Sequence, residues 1–275
     1  MFEIKDFKSK KKENVIFFNF CQSQNVFNHL FLLWLKNINI KKLIKIFKFV
    51  KNHQTSITQH KMSYFEELHP EMDRYLEGTA SKEPEILKRL RKETYQKTTQ
   101  PHMISGYLQG RLLSLISKII SPKNILEIGT FTGYAALCLA EGLQKDGKLI
   151  TLDVNEDLAY LPQKYFAESE FASQIDFQLQ DAKEFLKNSD EIFDLIFIDA
   201  DKENYAEYLK LVKPRMKSGG VLMVDNVLWY GKVLDEKGNK QTEQIKWVNK
   251  LIAEDADFEN VILPLRDGIH LVRKI

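Results

Sequence analysis

Asn124 to Ala140 reads NILEIGTFTGYAALCLA. Ile125, Leu126 and Ile128 form a short apolar run around Glu127, a turn follows between Gly129 and Gly133, and Ala135, Ala136, Leu137, Leu139 and Ala140 are strong helix material. This pattern predicts a strand, a tight turn and a helix. Glycine has no Cβ, so Gly129 and Gly133 let the backbone bend sharply and let a ligand approach it closely. The N–H groups that open the helix lack intrahelical partners and face the carboxyl end of the strand, the usual ligand crevice of an open α/β sheet.

Spacing narrows the ligand. A dinucleotide fingerprint needs Gly-x-Gly-x-x-Gly, and a P-loop needs a Gly-Lys-Ser/Thr ending; the turn has neither. A bare Gly-x-x-x-Gly turn also occurs in βα units that bind nothing. Here, however, Glu127 lies inside the strand and Asp153 ends the next apolar run, Leu149-Ile150-Thr151-Leu152. A carboxylate there can accept from both hydroxyls of a ribose, so the turn and Asp153 together point to a nucleoside without a pyrophosphate. Ile175 to Leu179 reads as the third strand, with Asp181-Ala182 just past its end. Asp181 fits either a polar contact to an adenine amine or a helix N-cap before Glu184.

Two later runs carry a second chemistry. Ile192 to Ile198 is almost continuously apolar, as in a strand covered on both faces, and ends in Asp199-Ala200-Asp201-Lys202. A helix over Tyr205, Tyr208, Leu209 and Val212 follows, closed by Pro214 and a Gly219-Gly220 turn; Val221 to Val224 is then a strand ending in Asp225-Asn226. On neighbouring parallel strands, Asp199, Asp225 and Asn226 bring three oxygen ligands into one crevice. Oxygen-only ligation suits Mg²⁺, or Mn²⁺ or Ca²⁺, and no His/Cys set argues for zinc. Acids at strand ends also serve as plain loop residues or caps. Lys202, three residues past Asp199, is the candidate general base; as an ordinary lysine it would face solvent.

Glu127-Ile128-Gly129-Thr130-Phe131-Thr132-Gly133-Tyr134 resembles the first motif of class I S-adenosylmethionine-dependent methyltransferases. With the later motifs, the stretch from Met62 to Ile275 resembles the cation-dependent O-methyltransferases, which include the caffeoyl-CoA and catechol O-methyltransferases; Ala200-Asp201 sets it nearer the caffeoyl-CoA and bacterial branch. The resemblance implies a Rossmann-like α/β fold: a seven-stranded, mostly parallel sheet flanked by helices and closed by an antiparallel pair over Phe258 to Leu263 and Ile269 to Val272. It implies that S-adenosylmethionine is held by Met103, Ser105, Glu127, Gly129, Thr130, Phe131, Gly133, Tyr134, Ala135, Asp153, Asp181, Ala182, Asp199 and Asp201. By the same resemblance Asp199, Asp225 and Asn226 are the metal ligands, Asp199 and Lys202 are catalytic, and Trp229 joins Lys202 against an aromatic acceptor. The expected reaction is methyl transfer to a hydroxyl of a vicinal dihydroxy aromatic or its CoA ester, by a homodimer. Alternatives are a nicotinamide oxidoreductase on a similar sheet and a non-catalytic nucleoside-binding protein.

Before the first strand, Phe65, Leu68, Met72, Tyr75 and Leu76 suggest a helix stopped by Gly78. Ser81 is a candidate cap for a second helix, with Pro84 in its first turn and Ile86, Leu87 and Leu90 on one face. Leu108, Leu112, Leu115, Ile116 and Ile119 form the expected inward stripe of a third. After the second strand, Asn155 to Asp157 suggests another helix start, and Pro162 a kink in that helix. Later, Thr242 to Ala253 reads as a helix with Ile245, Val248, Leu251 and Ile252 inward.

The whole chain has 275 residues and a formal charge of +2, which hides an asymmetry. Residues 1–61 hold 12 Lys, no Arg and three acidic residues, a formal +9, and nine of the 18 Phe, with no Gly, Pro or Ala. That is the composition expected of translated AT-rich upstream DNA, so Met62 is the expected natural start and 62–275 the folded domain, with 62–122 a helical lead-in. A membrane-surface anchor through Leu30 to Lys48 is the alternative. The apolar run there is too short to span a bilayer, and no nucleic-acid recognition module is visible. Two cysteines, Cys21 and Cys138, make no disulfide framework and point to a reducing, cytoplasmic setting.

Overall fold

The computed structural model describes residues 71–275. The leader, the Met62 start and the Phe65 and Leu68 positions lie outside the described residues. Seven strands form one sheet in the order β3-β2-β1-β4-β5-β7-β6. They are β1 (Asn124–Ile128), β2 (Lys148–Asp153), β3 (Ile175–Leu179), β4 (Phe193–Ile198), β5 (Met216–Asp225), β6 (Phe258–Leu263) and β7 (Ile269–Lys274). β1 to β5 are parallel, and β7 runs antiparallel to both β5 and β6. The expected seven-stranded α/β sheet with its closing antiparallel pair is therefore present.

Alternation along the central strands builds a core on each face. Leu126, Ile128, Ile150, Leu152, Ile196, Ile198, Leu222 and Val224 pack one way. Ile125, Leu149, Leu195, Phe197 and Met223 pack the other way. The first set meets α6 (Ala182–Asn188), α7 (Tyr205–Val212) and α8 (Lys240–Glu254). The second meets α2 (Glu85–Lys97), α3 (Gly106–Ile120), α4 (Tyr134–Ala140) and α5 (Tyr160–Glu168). A first helix, α1 (Met72–Thr79), precedes them.

Strand order reverses at β1, which has β2 on one side and β4 on the other, so the ligand crevice of such a sheet opens there. Ile128 is level with Leu152 and with Ile198, and Ile198 with Val224. The next residues, Gly129, Asp153, Asp199 and Asp225, consequently stand at one level at the carboxyl ends of the parallel strands.

Several local expectations need correction. α1 runs through Gly78, and the N-cap position of α2 is Pro84, whose ring supplies no cap. Ser81 instead offers its carbonyl to the Tyr107 hydroxyl at 2.7 Å. α3 turns Leu115 and Ile119 outward, 57% and 74% exposed, and buries Gln109, Leu113, Ser114 and Ser117. Asn155 caps only a short 3-10 turn, Glu156–Leu158, by accepting from Asp157 N; α5 starts afresh at Tyr160, so Pro162 falls in a first turn and produces no kink. Gly219-Gly220 is not a separate turn but the irregular part of β5, where pairing slips between Phe193 and Leu195.

Candidate active site

The turn after β1 is shaped by a close approach of two chains. Gly129 has φ +101°, and a Cβ there would lie 2.0 Å from the main-chain oxygen of Asp199. Its N–H donates to Leu152 O at 2.9 Å, while Asp199 N donates to Ile128 O at 2.9 Å. β1, β2 and β4 are thus tied together where the crevice opens. Phe131 is left-handed, φ +49°, and its N–H donates to Asp153 Oδ2 at 2.7 Å. Asp153 Oδ1 accepts from Asn155 N at 2.9 Å. A carboxylate offers about four lone-pair sites, so Asp153 is held rigidly and keeps capacity for a diol.

Beneath the turn, Thr151 donates its hydroxyl proton to Glu127 Oε2, so Thr130, 2.6 Å away, is the donor to Thr151. Glu127 is fully buried, and its Oε1 has no hydrogen-bond partner among the described residues. Burial holds this carboxyl well above its usual range; Thr151 opposes the shift, and the charges of Asp199 and Asp153 add to it. Of the other turn residues, Gly133 donates its N–H to Thr130 O at 2.8 Å. Tyr134 turns its side chain into the core, where its hydroxyl donates to Glu83 at 2.6 Å, and Ala135 is buried in the first turn of α4.

At the next two strand ends stand Asp199 and, on β5, Asp225 followed by Asn226; the charges of Asp199 and Lys202 both act on Asp225. Lys202 Nζ donates to Asp199 Oδ1 at 3.0 Å and to the Tyr205 hydroxyl at 2.6 Å. Burial, then the Asp199 carboxylate, pushes Asp225 upward. Asp225 Oδ1 accepts from Asn226 N at 2.7 Å, and Oδ2 accepts from Gln109 Nε2 at 2.5 Å. The sequence marks neither Gln109 nor Tyr205 as a site residue. Each lies within a helix whose apolar periodicity is the visible signal.

Asp201 points away from this group: Tyr208 OH and Asn204 Nδ2 donate to its two oxygens at 2.6 and 2.5 Å. Asp181 caps α6, accepting from Lys183 N at 2.7 Å and Glu184 N at 3.3 Å, with Ala182 buried behind it. Met103 is half exposed and Ser105 buried just before α3. Arg266 fastens that segment through the carbonyls of His102, Ile104 and Ser105. Asn226, Trp229 and Tyr230 all have positive φ, at 59°, 48° and 54°. Such backbone clusters at functional sites. Asp267 Oδ1 holds Tyr230 N, whereas Asp267 Oδ2 and Trp229 Nε1 are buried without partners among the described residues.

The donor sets fit two absent groups. Glu127 and Asp153 are acceptors at the switch point, suited to the ammonium and ribose of an amino-acid nucleoside. Asp199 and Asp225 bring two carboxylates close enough to repel, relieved in part by Lys202, Gln109 and Arg266, and Asn226 follows Asp225 in the chain; this oxygen-rich set suits a hard cation. Among the described residues no group of three or more His, Cys, Asp or Glu side chains gathers that could hold a metal ion.

Fold and crevice are those of a doubly wound α/β protein whose ligand site lies at the carboxyl ends of the strands. A family profile described as O-methyltransferase matches residues 77–275. Caffeoyl-CoA O-methyltransferase 1 of Eucalyptus globulus is 35% identical over 206 residues, 70% of this chain and 83% of that protein. An O-methyltransferase of Bacillus cereus, solved with S-adenosylhomocysteine (SAH), is 27% identical with a TM-score of 0.69, covering 74% of this chain and 97% of that one. The O-methyltransferase TomG of Streptomyces achromogenes, solved with S-adenosylmethionine, is likewise 27% identical with a TM-score of 0.69, covering 74% and 95%. The chain belongs to the O-methyltransferase family and is an S-adenosylmethionine-dependent O-methyltransferase. The nicotinamide oxidoreductase and non-catalytic alternatives fall with that match.

Proposed function

We propose that this enzyme is divalent-cation-dependent and methylates one hydroxyl of a vicinal dihydroxy aromatic, free or as a CoA ester. The observation that supports this reading is that two adjacent strands end at Asp199 and at Asp225-Asn226, with Lys202 bonded to Asp199 and the Asp199 carboxylate raising Asp225. Mg²⁺, or Mn²⁺ or Ca²⁺, bound there would lower the pKa of a chelated phenol, which is near 10 when free, and fix its oxygens.

The chain's own groups then have definite tasks. Asp153, braced by Phe131 and Asn155, takes the ribose of S-adenosylmethionine, and Glu127 faces its ammonium. Asp181 and Ala182 border the adenine, with Asp181 acting from its capping position. Met103 and Ser105 lie in the segment that Arg266 fastens at His102, Ile104 and Ser105, and cover the sulfonium end. Lys202 removes the hydroxyl proton as general base, and Trp229 stacks on the acceptor ring. Thr130, Tyr134 and Asp201 act through the frame, since their side chains are bonded within the protein.

The test is transfer of labelled methyl from S-adenosylmethionine to a panel of catechols and caffeoyl-CoA, with Mg²⁺ and with excess chelator. Turnover abolished by chelator and restored by Mg²⁺ is expected; turnover indifferent to chelator refutes cation dependence. We also propose a homodimer; a monomeric sedimentation coefficient at micromolar concentration refutes it. Among the described residues no helix is long and apolar enough to cross a membrane. We also propose a cytoplasmic site, consistent with the buried free thiol of Cys138, which cell fractionation checks.

A further inference from the structure

Tyr205 opens α7 and lies in the core cluster on one face of the sheet, 1% exposed. A ring there needs no hydroxyl to fill space. Yet its oxygen is bonded to Lys202 Nζ at 2.6 Å and to the main-chain oxygen of Asp225 at 3.1 Å, and the main chain of Ala200 adds a hydrogen bond. A carbonyl only accepts, so the phenol proton is committed to Asp225 O and the phenol oxygen must accept from Lys202. The same nitrogen donates to Asp199 Oδ1 at 3.0 Å, and it sits 4.8 Å from the centre of the Tyr205 ring.

Two of the nitrogen's three directions beyond Cε are therefore taken, one by Tyr205 and one by Asp199. The third carries a lone pair in the amine and an N–H in the ammonium, and in either state it is left for the crevice. The Lys202 side chain is 11% exposed, so little other freedom remains to it. We infer that Tyr205 is a positioning residue for methyl transfer: anchored on the end of β5, it aims Lys202 at the acceptor hydroxyl. This rests on Lys202 being the general base. Because the anchor is the carbonyl of Asp225, the same contact ties the base to the strand end that carries the proposed cation ligands.

The experiment is a double-mutant cycle of Tyr205→Phe and Lys202→Met in the full chain. Tyr205→Phe keeps the ring and is expected to lower kcat by roughly 10- to 100-fold, the scale of a misplaced catalytic group. S-adenosylmethionine affinity by calorimetry should stay within about twofold, and in the Lys202→Met background the tyrosine change should add less than about twofold. Equal losses in both backgrounds would show that Tyr205 acts without Lys202 and overturn the inference alone. A fully active Lys202→Met would remove the general base itself, and the inference with it. Should Tyr205→Phe not fold, 3-fluorotyrosine at position 205 keeps shape and donor while weakening the acceptor; an unchanged kcat there likewise overturns the proposal.

Discussion

Replacing Gly129 by alanine tests whether the crevice is built by the close approach of β1 and β4. The added Cβ would stand 2.0 Å from Asp199 O and 2.7 Å from its carbonyl carbon, both main-chain atoms. Real Cβ contacts essentially never fall below 3.0 Å, so the two segments must part by about 1 Å in a close-packed interior. Neither is free to do so. Gly129 N is bonded to Leu152 O and Asp199 N to Ile128 O, each at 2.9 Å. Alanine at a left-handed φ costs about 1–2 kcal/mol. Losing one of those buried hydrogen bonds costs about 1–3 kcal/mol more. The expected destabilisation is thus roughly 2–5 kcal/mol, a large share of the stability of a typical domain.

Urea unfolding followed by circular dichroism measures it, with Gly231→Ala as control. Gly231 also has positive φ, +75°, but a Cβ there meets nothing within 4 Å, so only the backbone term of about 1–2 kcal/mol applies. In the fraction of Gly129→Ala that folds, a displaced Asp199 should lower turnover by about 100-fold. Equal destabilisation of the two variants, or full turnover in Gly129→Ala, would refute the claim that main-chain contact with Asp199 fixes this residue.

Gln109→Leu removes the donor to Asp225 Oδ2 and should raise the dissociation constant for Mg²⁺ or Mn²⁺ by about 10-fold or more, as loss of an outer partner of a ligand does. Calorimetry with the cofactor bound reads this directly, and an unchanged cation affinity would mean that the hydrogen bond orients nothing. His270 is buried, and burial pushes its pKa down to about 4 from about 6.5 in the unfolded chain. Between those values the unfolded chain binds the extra proton, so this residue's contribution falls as pH drops from 6.5 towards 4, by at most roughly 3 kcal/mol. Buried Glu127 and Asp267, both shifted upward, act with the opposite sign, so the comparison must be with His270→Gln. The wild type should lose more stability than that variant between pH 7 and pH 4.5; equal losses refute the assignment.

What was legible in the sequence was what local chemistry decides. β1 and its turn show because Gly129 and Gly133 interrupt an apolar run, and Asp153, Asp199 and Asp225 show because each ends a strand whose neighbours are buried. α3 shows the limit. Its Leu115 and Ile119 looked inward and are exposed, while Gln109, Ser114 and Ser117 are buried. Each of those polar groups is satisfied at a distance along the chain: Gln109 by Asp225, Ser114 by Glu141, Ser117 by Leu139 O. A buried polar group is costly only while it lacks a partner, and the partner is invisible to any pattern of apolar residues within one helix. The same holds for Tyr205, whose ring obeys the periodicity of α7 while its hydroxyl answers to Lys202 and to a strand end 20 residues away. The residues that bind the site to its frame are therefore ones whose role no periodicity within a single element shows. Arg266, which ties the turn before β7 to the carbonyls ahead of α3, belongs with them.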